Sequence, residues 1–203
     1  MRITLIRHGK TAGNAEGRYV GRTDVSLCEE GRREAEQAGT DPQVRSVYVS
    51  PLRRTHETAA ILFPNAEQIV IDGLCERDFG AFEGRTAKEM ENDPVYRQWV
   101  DDLCLGACPG GESQTGFRAR VSAAFADALQ TAADGSVFVL HGGVIMAIMA
   151  EYAEPKKGFY DWIAPNLGGF SFDAVRENGR IRLRNVRPVQ MNGGADEAKG
   201  AQR

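Results

Sequence analysis

Two short apolar runs, far apart in the chain, end the same way. Arg2-Ile3-Thr4-Leu5-Ile6 leads into Arg7-His8-Gly9-Lys10-Thr11, and Val137-Phe138-Val139-Leu140 leads into His141-Gly142-Gly143. Each run is short and rich in β-branched or aromatic residues, as strands are. In open α/β sheets ligands bind beyond the carboxyl ends of the strands. A chain built on these two runs therefore has to bring two histidines, each followed by glycine, to one edge of a sheet.

The rest of the sequence reads as the scaffold for that edge. Further strands are predicted over residues 46–49 and 68–71, and Asn178-Gly179 marks the turn of a hairpin formed by 170–175 and 181–186. Helices are predicted over 29–38, 53–62, 87–91, 95–101, 115–132 and 144–152. Ser26 and Glu29 have the spacing of a capping box for the first of these. Pro51 suits the opening turn of the second, and residues 9–24 and 74–84 read as loops. The long helix carries Phe117, Val121, Ala124, Phe125, Ala128 and Leu129 on one stripe. Strands alternating with helices and closing in a hairpin predict a three-layer α/β/α sandwich with a mostly parallel central sheet. One domain is expected over residues 1–190, with 191–203 a Gly-, Ala- and charge-rich tail lacking fixed structure.

Composition narrows the partners. A hydrophobic fraction of 42% and a net charge of −3 give no general attraction to nucleic acid or an anionic membrane, so an anion site would have to be local. No apolar stretch approaches the roughly 18 residues of a membrane helix, and the cytoplasm is the expected location. Cys28, Cys75, Cys104 and Cys108 form no Cys-x-x-Cys pair, and His8, His56 and His141 supply no complementary ligand spacing. No metal and no cofactor are expected, and nothing in the sequence specifies an oligomeric state.

The candidate chemistry is that of phosphate. Arg7 and His8 follow the first strand, Ser50 to Arg54 follow the second, and His141 follows the apolar one. A neutral imidazole is a competent nucleophile near pH 7, and guanidinium forks match phosphate oxygens. Gly9-Lys10-Thr11 is not a nucleotide P-loop, because Thr4 stands where that motif needs its first glycine. Gly111-Glu112-Ser113-Gln114-Thr115 is not a serine nucleophile elbow, and no dinucleotide fingerprint follows any strand.

These motifs resemble, in order, those of the histidine phosphatase (phosphoglycerate mutase-like) superfamily. The resemblance runs through Ile6 to Thr11 with Asn14, Gly21 to Asp24, Ser26-Leu27, and Gly31. It continues with Ser50-Pro51-Leu52-Arg53-Arg54-Thr55, Thr58-Ala59, Leu74-Cys75-Glu76, Gly80, Glu83-Gly84 and His141 to Gly143. Asp93 to Tyr96 with Trp99, and Pro109 to Ser113, are most similar to the small bacterial phosphatases that include α-ribazole phosphatase.

The resemblance implies a metal-independent phosphomonoesterase acting on a small-molecule phosphate ester, with α-ribazole 5′-phosphate the first candidate. It makes His8 the nucleophile and Glu76 the proton donor. Arg7, Arg54 and His141 would hold the transferring phosphoryl group, with Asn14 and Gly142 completing the phosphate pocket and Arg53 left outside. Cofactor-dependent phosphoglycerate mutase, or a phosphate-binding signalling module without catalysis, are the alternatives. Lys10 reads as an exposed charge and His56 as a surface residue. Phe79, Phe82, Tyr96 and Trp99 are either plain core or the lining of a substrate pocket. Cys28 occupies the place of a helix-capping threonine in the family pattern.

Overall fold

The computed structural model describes residues 1–191, so the tail expected from the sequence lies outside the described residues apart from its first residue. Six strands form one sheet in the order β3-β2-β4-β1-β5-β6. These are β1 (Arg2–Arg7), β2 (Ser46–Val49), β3 (Glu67–Val70), β4 (Ser136–Leu140), β5 (Gly168–Glu177) and β6 (Arg180–Gln190). The first four run parallel, and β5 and β6 add an antiparallel hairpin beside β1. Its turn falls at Asn178-Gly179, both at positive φ (50° and 76°), which these residues tolerate.

The helices are α1 (Ala12–Ala15), α2 (Glu29–Gln37), α3 (Arg53–Leu62), α4 (Pro94–Asp101), α5 (Gln114–Ala128) and α6 (Gly142–Tyr152). Two hydrophobic clusters on opposite faces of the sheet make the sandwich, and the period-two alternation of each strand divides its side chains between them. Leu5, Phe138 and Leu140 pack with Phe117, Phe125 and Ile148 of α5 and α6. Ile6, Val137 and Val139 pack with Ala35, Ala59 and Leu62 of α2 and α3. Tyr48 stacks on Phe138 at 4.4 Å between ring centroids. A third cluster, Phe82, Met90, Tyr96, Trp99 and Cys108, lies under the loops between β3 and α5.

The chain leaves β1 toward α2 on one face and leaves β4 toward α6 on the other. Because β1 and β4 are neighbours, a crevice opens between their carboxyl ends, the usual ligand position in such sheets. Among the described residues no helix is long and apolar enough to cross a membrane.

Several local expectations are corrected. Cys28, not Ser26, caps α2: its sulfur accepts the Gly31 N–H at 3.4 Å, the role a threonine hydroxyl plays in the family pattern. Helix α3 starts at Arg53 with Leu52 as its N-cap, so Pro51 lies ahead of the first turn. Loop 9–24 contains the one-turn helix α1, closed by reciprocal Thr11–Asn14 hydrogen bonds. A 3-10 turn at Phe159–Trp162 has no counterpart in the sequence reading. His56 is half-buried and bonded to Gln68 at 2.6 Å, and Lys10 pairs with Glu30 and Glu34 at 2.8 and 2.9 Å.

Candidate active site

Strand register brings the two histidines together. Arg7 lies opposite Leu140 in the parallel β1–β4 pair, and the His8 N–H continues the ladder to Leu140 O at 2.9 Å. The rings of His8 and His141 consequently meet edge to face, 5.2 Å between centroids. His8 Nδ1 lies 2.7 Å from its neighbour's carbonyl, Gly9 O. A carbonyl only accepts, so Nδ1 carries the proton and Nε2 keeps its lone pair. Burial, and then the positive charges of Arg54 and Arg7, hold the pKa of His8 well below its usual value, outweighing the bond to Gly9. The imidazole is neutral and its free nitrogen is oriented.

Arg54 is fully buried at the start of α3. Its three nitrogens donate to His141 Nδ1 (3.2 Å), Thr23 O (2.9 Å) and Gly21 O (2.7 Å). A guanidinium has five N–H donors, so two remain for a ligand. Since His141 Nδ1 accepts, Nε2 carries the proton and donates to Ser50 Oγ at 2.7 Å. Both nitrogens of His141 are thus engaged within the protein. It holds Arg54 in place, and contacting a phosphoryl oxygen would require releasing one of these bonds. Thr58 joins the two halves: its hydroxyl donates to Arg54 O (2.7 Å) and accepts the Gly9 N–H (2.9 Å).

Arg7 reaches Ala164 O with one terminal nitrogen at 2.9 Å, while its buried Nε has no partner. That donor, beside Gly142 at the start of α6, is available to an anion. Asn14 lines the same outer cavity as Arg7 and Gly142; its Oδ1 is used by the Thr11 N–H, leaving its amide nitrogen free to donate. Arg53 is exposed and outside the group, as the motif pattern implied.

Glu76 arrives from the 3-10 turn Asp72–Leu74 after β3 and is 8% exposed. Its oxygens accept N–H groups from Arg77 and Gly143, each at 2.9 Å. The approach is so close that a Cβ at position 143 would sit 2.3 Å from Glu76 Oε1, which accounts for glycine there. Burial raises the Glu76 pKa above the usual carboxylate value, more than these bonds and the charges of Arg54 and Arg7 lower it. Glu83, the neighbouring carboxylate, has the opposite environment. Despite burial, bonds from Thr23 and from the Phe79, Gly21 and Arg22 amides lower its pKa and leave it a structural anchor.

Two arginines that the sequence reading passed over complete the frame. Arg120 of α5 donates to Gly73 O, Cys75 O and Glu76 O at 2.9, 3.0 and 3.4 Å, and forks onto Glu112 at 2.7 and 3.0 Å. It fixes the turn that presents Glu76. Arg77 donates to Glu112 O, Cys104 O and Gly106 O, and its guanidinium lies over the Trp99 ring at 5.4 Å. It fixes the loop ahead of α5. Neither arginine has a local motif, because each bonds to carbonyls distant in sequence. Among the described residues no three His, Cys, Asp or Glu side chains group as a metal site would.

Residues 3–186 match the histidine phosphatase superfamily (branch 1). The chain belongs to that superfamily. This histidine phosphatase is 34% identical over 163 residues to an acid phosphatase of Mycobacterium tuberculosis, covering 75% of this chain and 76% of that one. It is 30% identical to the probable phosphoglycerate mutase GpmB of Klebsiella pneumoniae, over 73% of each chain. In fold it matches the α-ribazole phosphatase of Shigella flexneri with a TM-score of 0.78 at 23% identity, covering 97% of this chain and 100% of that one. The phosphoglycerate mutase-like architecture and phosphatase enzyme class expected from the motifs both stand.

Proposed function

We propose that this histidine phosphatase hydrolyses a small phosphomonoester, without metal, through a phosphohistidine formed on His8 Nε2. The observation that carries this reading is the tautomer of His8. A neutral, buried imidazole with its proton fixed on Nδ1 keeps a lone pair on Nε2, and the adjacent residue, Arg7, keeps a buried Nε with no partner. Phosphoryl transfer asks mainly for such positioning, and for cations around the equatorial oxygens.

In the first step Nε2 attacks phosphorus as the bond to the ester oxygen breaks. Arg7, Arg54, Asn14 and the N-terminus of α6 receive the charge of the phosphoryl oxygens, while Glu76 gives its proton to the departing alkoxide. A bound phosphate dianion raises the affinity of Glu76 for that proton further, since like charges oppose ionisation. In the second step the Glu76 carboxylate takes a proton from water, whose oxygen attacks phosphorus as the Nε2–P bond breaks. Inorganic phosphate leaves and Glu76 is again protonated. His141 serves by holding Arg54.

α-Ribazole 5′-phosphate is our first candidate substrate, supported by the motif resemblance and by a fold shared with an α-ribazole phosphatase. The mutase reading is favoured by the relative named probable phosphoglycerate mutase, but the cavity beside Glu76 is largely apolar and suits a carboxylated substrate poorly. Purified protein should hydrolyse p-nitrophenyl phosphate in excess EDTA, and His8→Ala should lower that rate by roughly 10³-fold or more. Full activity in His8→Ala, or none without added metal, contradicts the reading. With 3-phosphoglycerate and a trace of 2,3-bisphosphoglycerate, interconversion as fast as the best phosphatase rate would replace it by the mutase reading.

A further inference from the structure

The catalytic strand β1 is flanked by β4 on one side and by β5 on the other, where the last paired residues are Ile6 and Gly169. Beyond that pair, residues 164–167 stay bound to the end of β1 at three points. A terminal nitrogen of Arg7 donates to Ala164 O at 2.9 Å, and the Leu167 N–H donates to Arg7 O at 3.0 Å. The third bond comes from a side chain: Asn166 Nδ2 donates to His8 O at 2.8 Å. A carbonyl only accepts, so the amide nitrogen of Asn166 is the atom that faces it.

The backbone is strained to make this approach. Leu167 has φ 59°, a left-handed conformation that a branched side chain rarely adopts. Both of its main-chain groups are bonded, the N–H to Arg7 O and the carbonyl to the Met191 N–H at 2.9 Å, while Gln190 Nε2 holds Asn166 O at 3.3 Å. Strain of this kind persists where the surroundings over-determine it, and it clusters at functional positions. Its consequence falls on one peptide unit. The His8–Gly9 peptide has its carbonyl held by Asn166 and its N–H held by Thr58 Oγ1 at 2.9 Å. That unit sets where Gly9 lies, and Gly9 O is the acceptor that keeps the His8 proton on Nδ1. Asn166 lines neither the outer cavity nor the one beside Glu76. It lines a separate cavity of about 490 Å³ with Lys10, Glu34 and Gln190.

We infer that Asn166 is a positioning residue for the nucleophile: with Thr58 it clamps the His8–Gly9 peptide, so that Gly9 O holds the Nδ1 proton and the lone pair of Nε2 keeps its direction. Asn166 acts through His8 and touches no substrate. The inference rests on the phosphohistidine reading above and adds to it a residue that neither the strand-end signals nor the motif pattern marks.

The test follows phosphorylation of His8 in single turnovers of the intact protein, with p-nitrophenyl phosphate and with n-butyl phosphate. Asn166→Ala should slow that step by about 10–100-fold, the scale of a misplaced catalytic group. The factor should be the same for both esters, because the nucleophile serves both. Binding of inorganic phosphate, the task assigned to Arg7 and Arg54, should be unchanged. The ¹⁵N spectrum of His8 should move from an Nδ1–H pattern toward a mixture of tautomers. Asn166→Asp keeps the shape but, when ionised, offers no donor. Its rate relative to wild type should recover as pH falls and the carboxyl regains a proton to donate. Wild-type rates in both variants, or a rate that falls only together with phosphate binding, would overturn the inference and leave the phosphatase reading standing. If the wild-type protein takes no label on His8, the phosphohistidine reading fails. The ¹⁵N spectra then still decide the clamp: a tautomer shift in Asn166→Ala supports it, and an unchanged spectrum overturns it.

Discussion

The two sides of this site are built differently. The phosphate side is carried by strand ends and by the first turns of α3 and α6, with His8, Arg54 and His141 each at most 4% exposed and interlocked through Ser50 and Thr58. The proposed leaving-group side, the cavity beside Glu76, is carried by loops together with residues of α4, α5 and α6; Arg77 and Arg120 hold the loops through main-chain carbonyls, and its rim residue Tyr160 is exposed. The difference separates reaction from selection. The sheet fixes the buried histidine–arginine group, and the wall of that cavity meets it at shared residues, Glu76 among them.

The largest effect that can break this division is at Glu76 itself. An alkyl ester expels a poor leaving group, so protonation should matter by roughly 10²–10⁴-fold, whereas p-nitrophenolate needs little help. Glu76→Gln should therefore slow phosphorylation of His8 far more with an alkyl phosphate than with p-nitrophenyl phosphate, measured in a single turnover. Equal losses would remove Glu76 from the proton-donor role, and the strongly bonded Glu83 could not replace it.

A smaller effect is expected at Arg120, which touches no reacting group but holds the turn before Glu76. Misplacing a catalytic group by about 1 Å costs up to about 10²-fold. Arg120→Lys keeps the charge opposite Glu112 but cannot span the three carbonyls. It should lower kcat for alkyl phosphates by about 10-fold, with KM little changed and with p-nitrophenyl phosphate largely spared. A matching loss on both substrates would make Arg120 structural only and blur the boundary between the two sides.

The smallest effect is on stability. His8 and His141 are both held neutral by burial first and by Arg54 next, with folded pKa values below the unfolded 6.5. As pH falls below 6.5 the unfolded chain takes up protons that the folded one refuses, so stability drops, by at most about 1.4 kcal/mol per pH unit for each histidine. Glu76, raised by burial above 4.5, acts in the opposite sense: its contribution is present below 4.5 and lost as pH rises through its folded value. Urea unfolding at pH 7 and pH 5 should show a net decrease on acidification, and His8→Gln should flatten it. A mutant slope as steep as the wild type's would mean that the phosphate side does not keep His8 neutral.

The same contrast explains what could be read from the chain. The strand-end groups were legible because each is a local signal: an apolar run, then a charged or nucleophilic residue, then glycine. Glu76 was legible only through the motif pattern, since a loop glutamate carries no periodicity. Arg77 and Arg120 were not legible, because the main-chain carbonyls they hold lie 27 to 47 residues away and any residue supplies a carbonyl. The aromatic cluster divided in a way sequence cannot express: Phe82 and Tyr96 are core, while Phe79 and Trp99 turn a face to the cavity. The capping role passed from Ser26 to Cys28 because the helix starts two residues later than the Ser26 cap would place it, and a thiol can accept where a hydroxyl would.

The central claim is that His8 Nε2 carries the phosphoryl group between the two sides. Rapid mixing of the protein with a ³²P-labelled phosphomonoester, quenched in alkali within one turnover, tests it directly. The account predicts a label that is stable to alkali, released by mild acid, located on His8 and absent from His8→Ala. Phosphate released with no protein-bound label, or a label on another residue, would contradict it.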